Sequence, residues 1–302
     1  MSTDENGMDP ATRPSWANEY LKGDAHLTLE HFQRGLTVDL IATERPAFVT
    51  CEFNERVDAV ADRNRRNVFD FLPVTQTFLT PSGSSQNRII GLIELVPFRS
   101  PGGQASGLVS DYMKPLSEEN LIGADASILT FVRGADDHRC CLVVAGRTIN
   151  GLVSISDLQK LPVRAALFAM VTHFEIVMAA SIREEFEQTE HAILRLSPER
   201  QTRVSEKCAR AKRQEAFIDA LLYTDFSDKV TIIKKRANFP WSKTGFQSEL
   251  EQIQELRNQL AHASEYAATR ADAIRVCETV RLIDKWIRRL TDTATGNFTK
   301  RF

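Results

Sequence analysis

The chain has 302 residues, room for about two domains of ordinary size. Hydrophobic residues make up 42% and charged residues 26%, which excludes wholesale disorder, a collagen-like rod and a coiled coil. Thirty-eight Lys and Arg against 40 Asp and Glu leave a net charge of −2, split as −6 over residues 1–160 (15 basic, 21 acidic) and +4 over 161–302 (23 basic, 19 acidic). A polyanion is thus expected to meet the second half, although a mild bias of this size also fits mixed solvated faces.

Residues 1–25 carry Pro, Gly, Asp and Asn with little periodicity and read as a flexible leader. From Phe48 the texture is strand, helix, strand, strand. Ala47–Cys51 is β-like, Glu55–Arg66 holds Val57, Val60 and Ala61 at helical spacing, and Asp70–Thr75 is a second strand. The Gly/Ser-rich loop Pro81–Ser85 leads to a third, Ile89–Val96. The order then repeats: a short strand at Asn120–Gly123, a helix over Asp125–Arg133, an apolar strand at Cys140–Ala145 and a tight connection at Gly146–Asn150. A strand at Gly151–Ile155 then runs through Ser156 and Asp157 into Leu158. Two βαββα units in the acidic half amount to an internal duplication, and one such unit cannot bury both faces of its sheet alone.

From Pro162 the texture becomes helix throughout. Val163, Leu167, Met170, Phe174, Val177 and Met178 mark one amphipathic helix to about Phe186. Ser197-Pro198 is an N-cap followed by proline at the first helical position. The next helix passes through Arg200, Arg203, Lys207, Arg210, Lys212 and Arg213 and turns apolar from Phe217 to Leu222. Thr224–Asp228 is a cap-rich break, and a loop with Pro240, Trp241 and Gly245 precedes a helix over Phe246–His262. The last helix spans about Thr269–Leu290, with Val276, Val280, Ile283, Ile287 and Leu290 as its seam. The predicted fold class is therefore α+β, a duplicated βαββα half followed by an all-α bundle, divided as 1–25, 26–161 and 162–302.

The five cysteines include no C-x-x-C pair, and the N-terminus is acidic and polar where a signal peptide would be basic and then apolar. A cytoplasmic protein without disulfides is expected. Ala165–Ala180 is the best candidate for a membrane span, but it is short and carries Thr172, His173 and Glu175; it reads as a buried helix, with no membrane partner. Cys140-Cys141 fits strand packing better than a metal site, because successive strand residues face opposite ways. His173 reads as helix packing.

The duplicated half resembles the CBS domain pair over about Phe48–Leu161. Matching pieces are Leu72-Pro73-Val74 in the first repeat and Asp111-Tyr-Met-Lys-Pro, Ile122, Leu142-Val-Val and Gly151–Asp157 in the second. The resemblance implies clefts that bind an adenine nucleotide or a related ligand, here a regulatory one. Gly151-Leu-Val-Ser154-Ile-Ser-Asp157 fits the family's ligand motif. The Ser154 hydroxyl and the amides that follow can donate to phosphate, Asp157 can accept from ribose hydroxyls, and Arg139 is placed to add a cation. The other reading is that Ser154 and Asp157 cap a helix that starts at Leu158. In the first repeat, Gly91-Leu-Ile-Glu94-Leu-Val-Pro97 has Glu and Pro at the corresponding positions, so that half looks emptied of its ligand.

The second half resembles HEPN domains over about Pro162–Leu290, on the strength of Leu256-Arg257-Asn258-Gln259-Leu260-Ala261-His262 at the end of an amphipathic helix, with Phe217–Leu222 and Phe239-Pro-Trp-Ser before it. Ribonuclease members carry Arg, a polar residue, three variable residues and His. In RNA cleavage His262 can move the proton, imidazole being the side chain suited to acid–base work near neutral pH, and Arg257 can hold the charge that builds on phosphate. Asn258 lies about 40° from His262 round the helix and can orient it, whereas Arg257 lies about 140° away. One helix alone therefore makes an incomplete site, and the resemblance implies a homodimer that completes it. No metal is implied for catalysis, since there is no H-E-x-x-H and no Cys/His ligand spacing. Glu175 is either an ion-pair partner of a group such as Arg257 or part of the site. Arg203, Lys207 and Arg210 are candidates for guiding RNA phosphates, or a solvated face.

Together these features predict a nucleotide-sensing, metal-independent endoribonuclease, a role that by family analogy would suit a stress or phage-defence toxin. The alternative is a non-catalytic adenine-nucleotide sensor whose helical half only dimerises or docks a partner.

Overall fold

The computed structural model describes Leu29 and residues 32–99, 106–186, 188–213, 219–237, 239–262 and 265–294. The expected leader at 1–25 and the apolar pair Phe217-Ile218 lie outside them. Contacts divide the chain into a sheet unit, Leu36–Val163, and a helical unit formed from Arg164 onward together with residues up to Gly35.

The sheet unit holds two four-stranded sheets. Its strands are β1 (Thr43–Glu44), β2 (Cys51–Glu52), β3 (Phe71–Leu79), β4 (Ser85–Glu94), β5 (Lys114–Pro115), β6 (Leu121–Gly123), β7 (Cys140–Ala145) and β8 (Thr148–Ser154), with helices α1 (Val57–Asn64) and α2 (Ile128–Gly134). One sheet runs β2-β3-β4-β5 and the other β6-β7-β8-β1. Each begins with a parallel pair, β2 with β3 and β6 with β7, and continues with an antiparallel hairpin that shifts register at the same place, Val74/Thr75 and Val143/Val144. The duplication is thus real in three dimensions.

The fourth strand of each sheet comes from the other repeat's lead-in. β1 precedes the first repeat yet pairs with β8, and β5 precedes the second yet pairs with β4. This exchange interlocks the halves, and two glycines permit it. A Cβ on Gly91 would collide with the Lys114 carbonyl, and one on Gly151 would lie 3.1 Å from the Ala42 and Val143 Cβ atoms. The sheets meet over Ile89 and Leu92 of β4 and Cys140 and Leu142 of β7, with Phe71, Leu121 and Leu152 packed alongside.

Several predicted boundaries are corrected. Ala47–Cys51 is mostly not strand: Arg45–Ala47 form a 3-10 turn that begins with proline at its second position, and only Cys51–Glu52 pair. β3 continues to Leu79 because Gln76–Leu79 find partners in Arg88–Ser85 across the hairpin. The connection after β7 is only Gly146-Arg147, with Gly146 at φ +59°, so β8 starts at Thr148. Instead of a helix at Leu158, a 3-10 turn spans Ile155–Gln159.

In the helical unit α3 (Leu161–Glu185) leads to α4 (Thr189–Ile193), α5 (Pro198–Arg213), α6 (Phe226–Lys234), α7 (Lys243–Ala261) and α8 (Arg270–Ala294). Ala220–Tyr223 form a 3-10 turn rather than a continuation of α5, because the Asp219 carboxylate accepts from the Leu221 N–H. α7 begins before Gly245, whose N–H donates to the Ser242 hydroxyl at 3.3 Å. Leu167, Met170, Phe174 and Met178 of α3, Leu250, Ile253 and Leu256 of α7, and Val276, Val280 and Ile283 of α8 are buried. Trp286 takes the core place expected for Ile287 and packs edge-on against Phe246 at 4.8 Å and Trp241 at 5.0 Å. α3 has the length its apolar seam predicts, and although Ala165–Ala180 alone is short for a membrane span, the whole helix is by length and composition long and apolar enough to cross a bilayer.

Candidate functional site

In α7, Leu250, Ile253, Leu256 and Leu260 face the core, which turns Arg257 partly and Asn258 wholly outward. The helix end is fixed by Arg164 of α3, whose guanidinium donates to the Gln259 and Leu260 carbonyls at 3.3 and 3.1 Å and lies over the Tyr266 ring at 4.8 Å. Orphan carbonyls in the last turn are thereby satisfied. His262 is the C-cap: its backbone N–H donates to the Asn258 carbonyl at 3.1 Å, and its side chain is exposed. The imidazole is open to solvent at the helix end, not walled inside the bundle.

The Nε of Arg257 donates to Glu175 Oε1 at 3.2 Å, and its Nη1 makes a long contact of 3.4 Å to Asn258 Oδ1. The structure thus brings Arg257, Asn258 and Glu175 together. Among the described residues no hydrogen bond joins the His262 ring to any of them: the orienting bond expected from Asn258 is not made, and the Asn258 side-chain oxygen faces Arg257 instead. Behind Glu175 stands a buried lysine. Lys229 of α6 is buried, donates from Nζ to the Thr224 carbonyl at 3.0 Å, and lies 3.8 Å from Glu175 Oε2. Burial pushes its pKa below the ordinary lysine value, against the pull of Glu175, Asp228 and Asp225. Its sequence signal was present: Phe226, Lys229, Val230 and Ile233 occupy one helical stripe. His173 is buried on α3, where helix packing was expected.

Of the basic run, Arg203 pairs with Glu199 one turn back at 2.7 Å, Lys207 reaches Asp225 at 3.4 Å, and Arg210 is exposed. Arg200 clasps Asp225 and Asp228, the second nearly buried, and ties α5 to the start of α6. The hydrogen bond from Arg200 holds the Asp225 carboxyl below the usual carboxylate range.

In the sheet unit, Asp157 Oδ2 accepts from the Ser154 N–H at 2.6 Å and from its hydroxyl at 3.1 Å, while Oδ1 pairs with Lys160 at 2.8 Å. The carboxylate is mostly buried, and its donors come from its own turn. Arg139 adjoins this turn through its backbone, whose carbonyl accepts from Ile155 at 2.8 Å. Its guanidinium points elsewhere, making a two-pronged bond to Glu94 at 2.8 and 3.1 Å. Arg139 is thus separated from Ser154 and Asp157 and joined to the first repeat's Glu94. This pair borders a cleft of about 290 Å³ lined by Phe71, Leu92, Pro115 and Cys140 on its apolar side and by Lys114, Glu119, Asp137 and His138 around its rim. An apolar wall with a few convergent charged groups suits a small organic ligand. A phosphate at Arg139 would compete with Glu94.

The cysteines are free. Burial raises the Cys141 thiol to about 11, and burial with Glu55 nearby raises Cys51 to about 12, so neither is a thiolate near neutral pH. Cys140 and Cys141 are buried in β7, as strand packing predicts. Among the described residues no group of three or more His, Cys, Asp or Glu is placed to hold a metal.

No family model matches the chain. No curated protein matches it either. Solved structures similar to it are of CBS domains. The CBS domain of the bacterial CNNM/CorC family Mg2+ transporter in complex with ATP shares 14% identity over 45% of this chain and 92% of that one, with a TM-score of 0.34. CBS domains of a transcriptional regulator from Streptococcus pneumoniae share 17% over 40% and 95%, at 0.31. CBSX2 in complex with AMP shares 18% over 43% and 96%, at 0.33.

Proposed function

We propose that the protein is a metal-independent endoribonuclease regulated by a small ligand, with a HEPN-type helical unit as the cleaving part and a CBS-type sheet unit as the receptor. The observation that supports this reading is the solvent-facing end of α7, where Arg257 contacts Glu175 and Asn258 and the His262 side chain is exposed at the C-cap that follows. His262 takes the proton of a ribose 2′-hydroxyl as its oxygen bonds to the adjacent phosphorus. The bond from phosphorus to the 5′-oxygen breaks, leaving a cyclic phosphate, and the leaving oxygen takes a proton from a second imidazole or from water. Arg257 holds the negative charge that gathers on the phosphoryl oxygens, and the Asn258 amide orients phosphate or imidazole. A second copy of the chain supplies the second imidazole. Phe168, Thr172 and Ile176, exposed along one side of α3, support such a pairing.

The receptor reading rests on the interlocked repeats and on the cleft beside Glu94 and Arg139. On this reading an adenine ring packs against Phe71 and Leu92, with Arg139 as the phosphate cation once Glu94 yields it; Ser154 and Asp157 are further candidates on the second repeat, provided Asp157 releases its own turn. The protein belongs to a cytoplasmic defence or stress setting on this reading.

Incubating purified protein with single-stranded and structured RNA tests the enzyme reading. His262→Ala should lower the cleavage rate by at least about 100-fold with the circular dichroism spectrum unchanged. Wild-type protein that cleaves no RNA, with or without adenine nucleotides, overturns it. What then stands is the second reading, an adenine-nucleotide sensor whose helical unit only dimerises or docks a partner, with the Arg257–Glu175 contact as a structural ion pair.

A further inference from the structure

A buried lysine needs a reason, because taking an ammonium out of water is costly unless a counter-charge meets it. Lys229 is 6% exposed, and Glu175 Oε2 at 3.8 Å is the carboxylate it faces across to α3. The acidic groups on its own element are otherwise engaged: Asp228 is clasped by Arg200, and Asp225 by Arg200 and Lys207. Those four charges sum to zero among themselves. Glu175 is therefore shared, with one oxygen toward Lys229 and the other accepting from Arg257 Nε at 3.2 Å. Two cations on one carboxylate leave a surplus of one positive charge, and the exposed end of that surplus is the Arg257 guanidinium.

We propose that Lys229 is a positioning residue that keeps Arg257 available to an RNA phosphate, by drawing off the Glu175 charge that would otherwise neutralise the guanidinium. The inference rests on the RNA reading of the α7 end and adds to it the residue that sets its charge. Without Lys229, Glu175 and Arg257 form a neutral pair, and a phosphate has to break that pair to bind. With Lys229 in place, Glu175 keeps a partner when Arg257 swings to substrate.

The test measures binding of a 2′-O-methyl oligoribonucleotide, which has no free 2′-hydroxyl and so cannot be cleaved, as a function of salt. Lys229→Met should weaken binding roughly tenfold and reduce the slope of log K against log salt by about 0.7, the loss of one phosphate contact on a single strand. The double variant Lys229→Met/Glu175→Gln restores a single positive charge and should return to near wild-type affinity, a rescue that a merely structural lysine would not show. Glu175→Gln alone keeps Lys229 and should bind more tightly than wild type by clearly less than the roughly tenfold that Lys229→Met loses; a gain of about tenfold or more would show that Glu175 neutralises Arg257 despite Lys229, which keeps the test decisive if Lys229→Met fails to fold. Unchanged binding in Lys229→Met, no recovery in the double variant, or weaker binding in Glu175→Gln each overturns the role of Lys229 while leaving the ribonuclease reading intact. Wild-type protein that neither binds the oligomer nor cleaves RNA overturns the reading and this inference together.

Discussion

Arg139 and Arg257 are both guanidiniums with a carboxylate in reach, and the difference in how each is held decides what each can do. Arg139 meets Glu94 through two parallel bonds with both side chains about a quarter exposed, an arrangement that fixes the fork. Arg257 meets Glu175 through Nε only, makes one long contact from Nη1 to Asn258, and is 40% exposed, so its guanidinium is held by a single close bond. The first arginine is locked and the second is poised. Glu94→Gln should therefore unlock Arg139: the variant should lose about 1 kcal/mol of stability and gain a larger rise in melting temperature with AMP than wild type shows. Differential scanning fluorimetry of the two proteins across an AMP series checks this, and an equal response in both would show that Glu94 does not compete for the ligand.

None of that coupling was legible locally. Glu94 read as a residue that spoils a phosphate motif, and Arg139 as an aid to the second repeat. Only the packing of β4 against β7 brings side chains 45 positions apart into contact. Lys229 was hidden for another reason: a lysine beside apolar residues is normally read as snorkelling to water, whereas here the ammonium stays inside with a carbonyl and a carboxylate.

At the scale of elements, long periodic segments were the readable ones. β7 runs over Cys140–Ala145 as its unbroken apolar pattern predicts, and α3 and α8 follow their apolar seams. The lead-in strands β1 and β5 went unseen because two residues carry no alternation, and each is defined only by the partner it finds. The glycines carry this point furthest. Gly91 and Gly151 look like parts of ligand motifs, yet both sit where a lead-in strand pairs onto its sheet. The two pairings differ in tightness. A Cβ on Gly91 meets backbone, which cannot step aside, whereas one on Gly151 meets side-chain Cβ atoms at 3.1 Å. Gly91→Ala should then cost about 1–3 kcal/mol and Gly151→Ala less. Hydrogen exchange should show faster loss of protection over residues 85–95 in the first variant; equal protection in both would mean that β5 can shift without penalty.

At the scale of the molecule, the two units have separate cores and separate candidate chemistries, and the question is whether occupancy of one is felt by the other. Allostery requires two sites and a difference in contacts between two states, so the measurement has to see the units apart. The distribution of tryptophan makes that possible. Of the three tryptophans, Trp241 and Trp286 are in the helical unit, Trp16 lies outside the described residues, and Leu36–Val163 contain none. In a Trp16→Phe background, tryptophan emission reports unfolding of the helical unit alone, while calorimetry reports both. A nucleotide that binds only the folded sheet unit stabilises it by about 2.7 kcal/mol at a hundredfold excess over Kd, a shift of several degrees. If ligand binding is transmitted, the emission midpoint should move with the calorimetric one, upward or downward, and Glu94→Gln should alter both shifts in step. A calorimetric shift with a stationary emission midpoint would mean that the sheet unit binds the nucleotide without informing the helical unit, and regulation of the α7 end by that ligand would be ruled out.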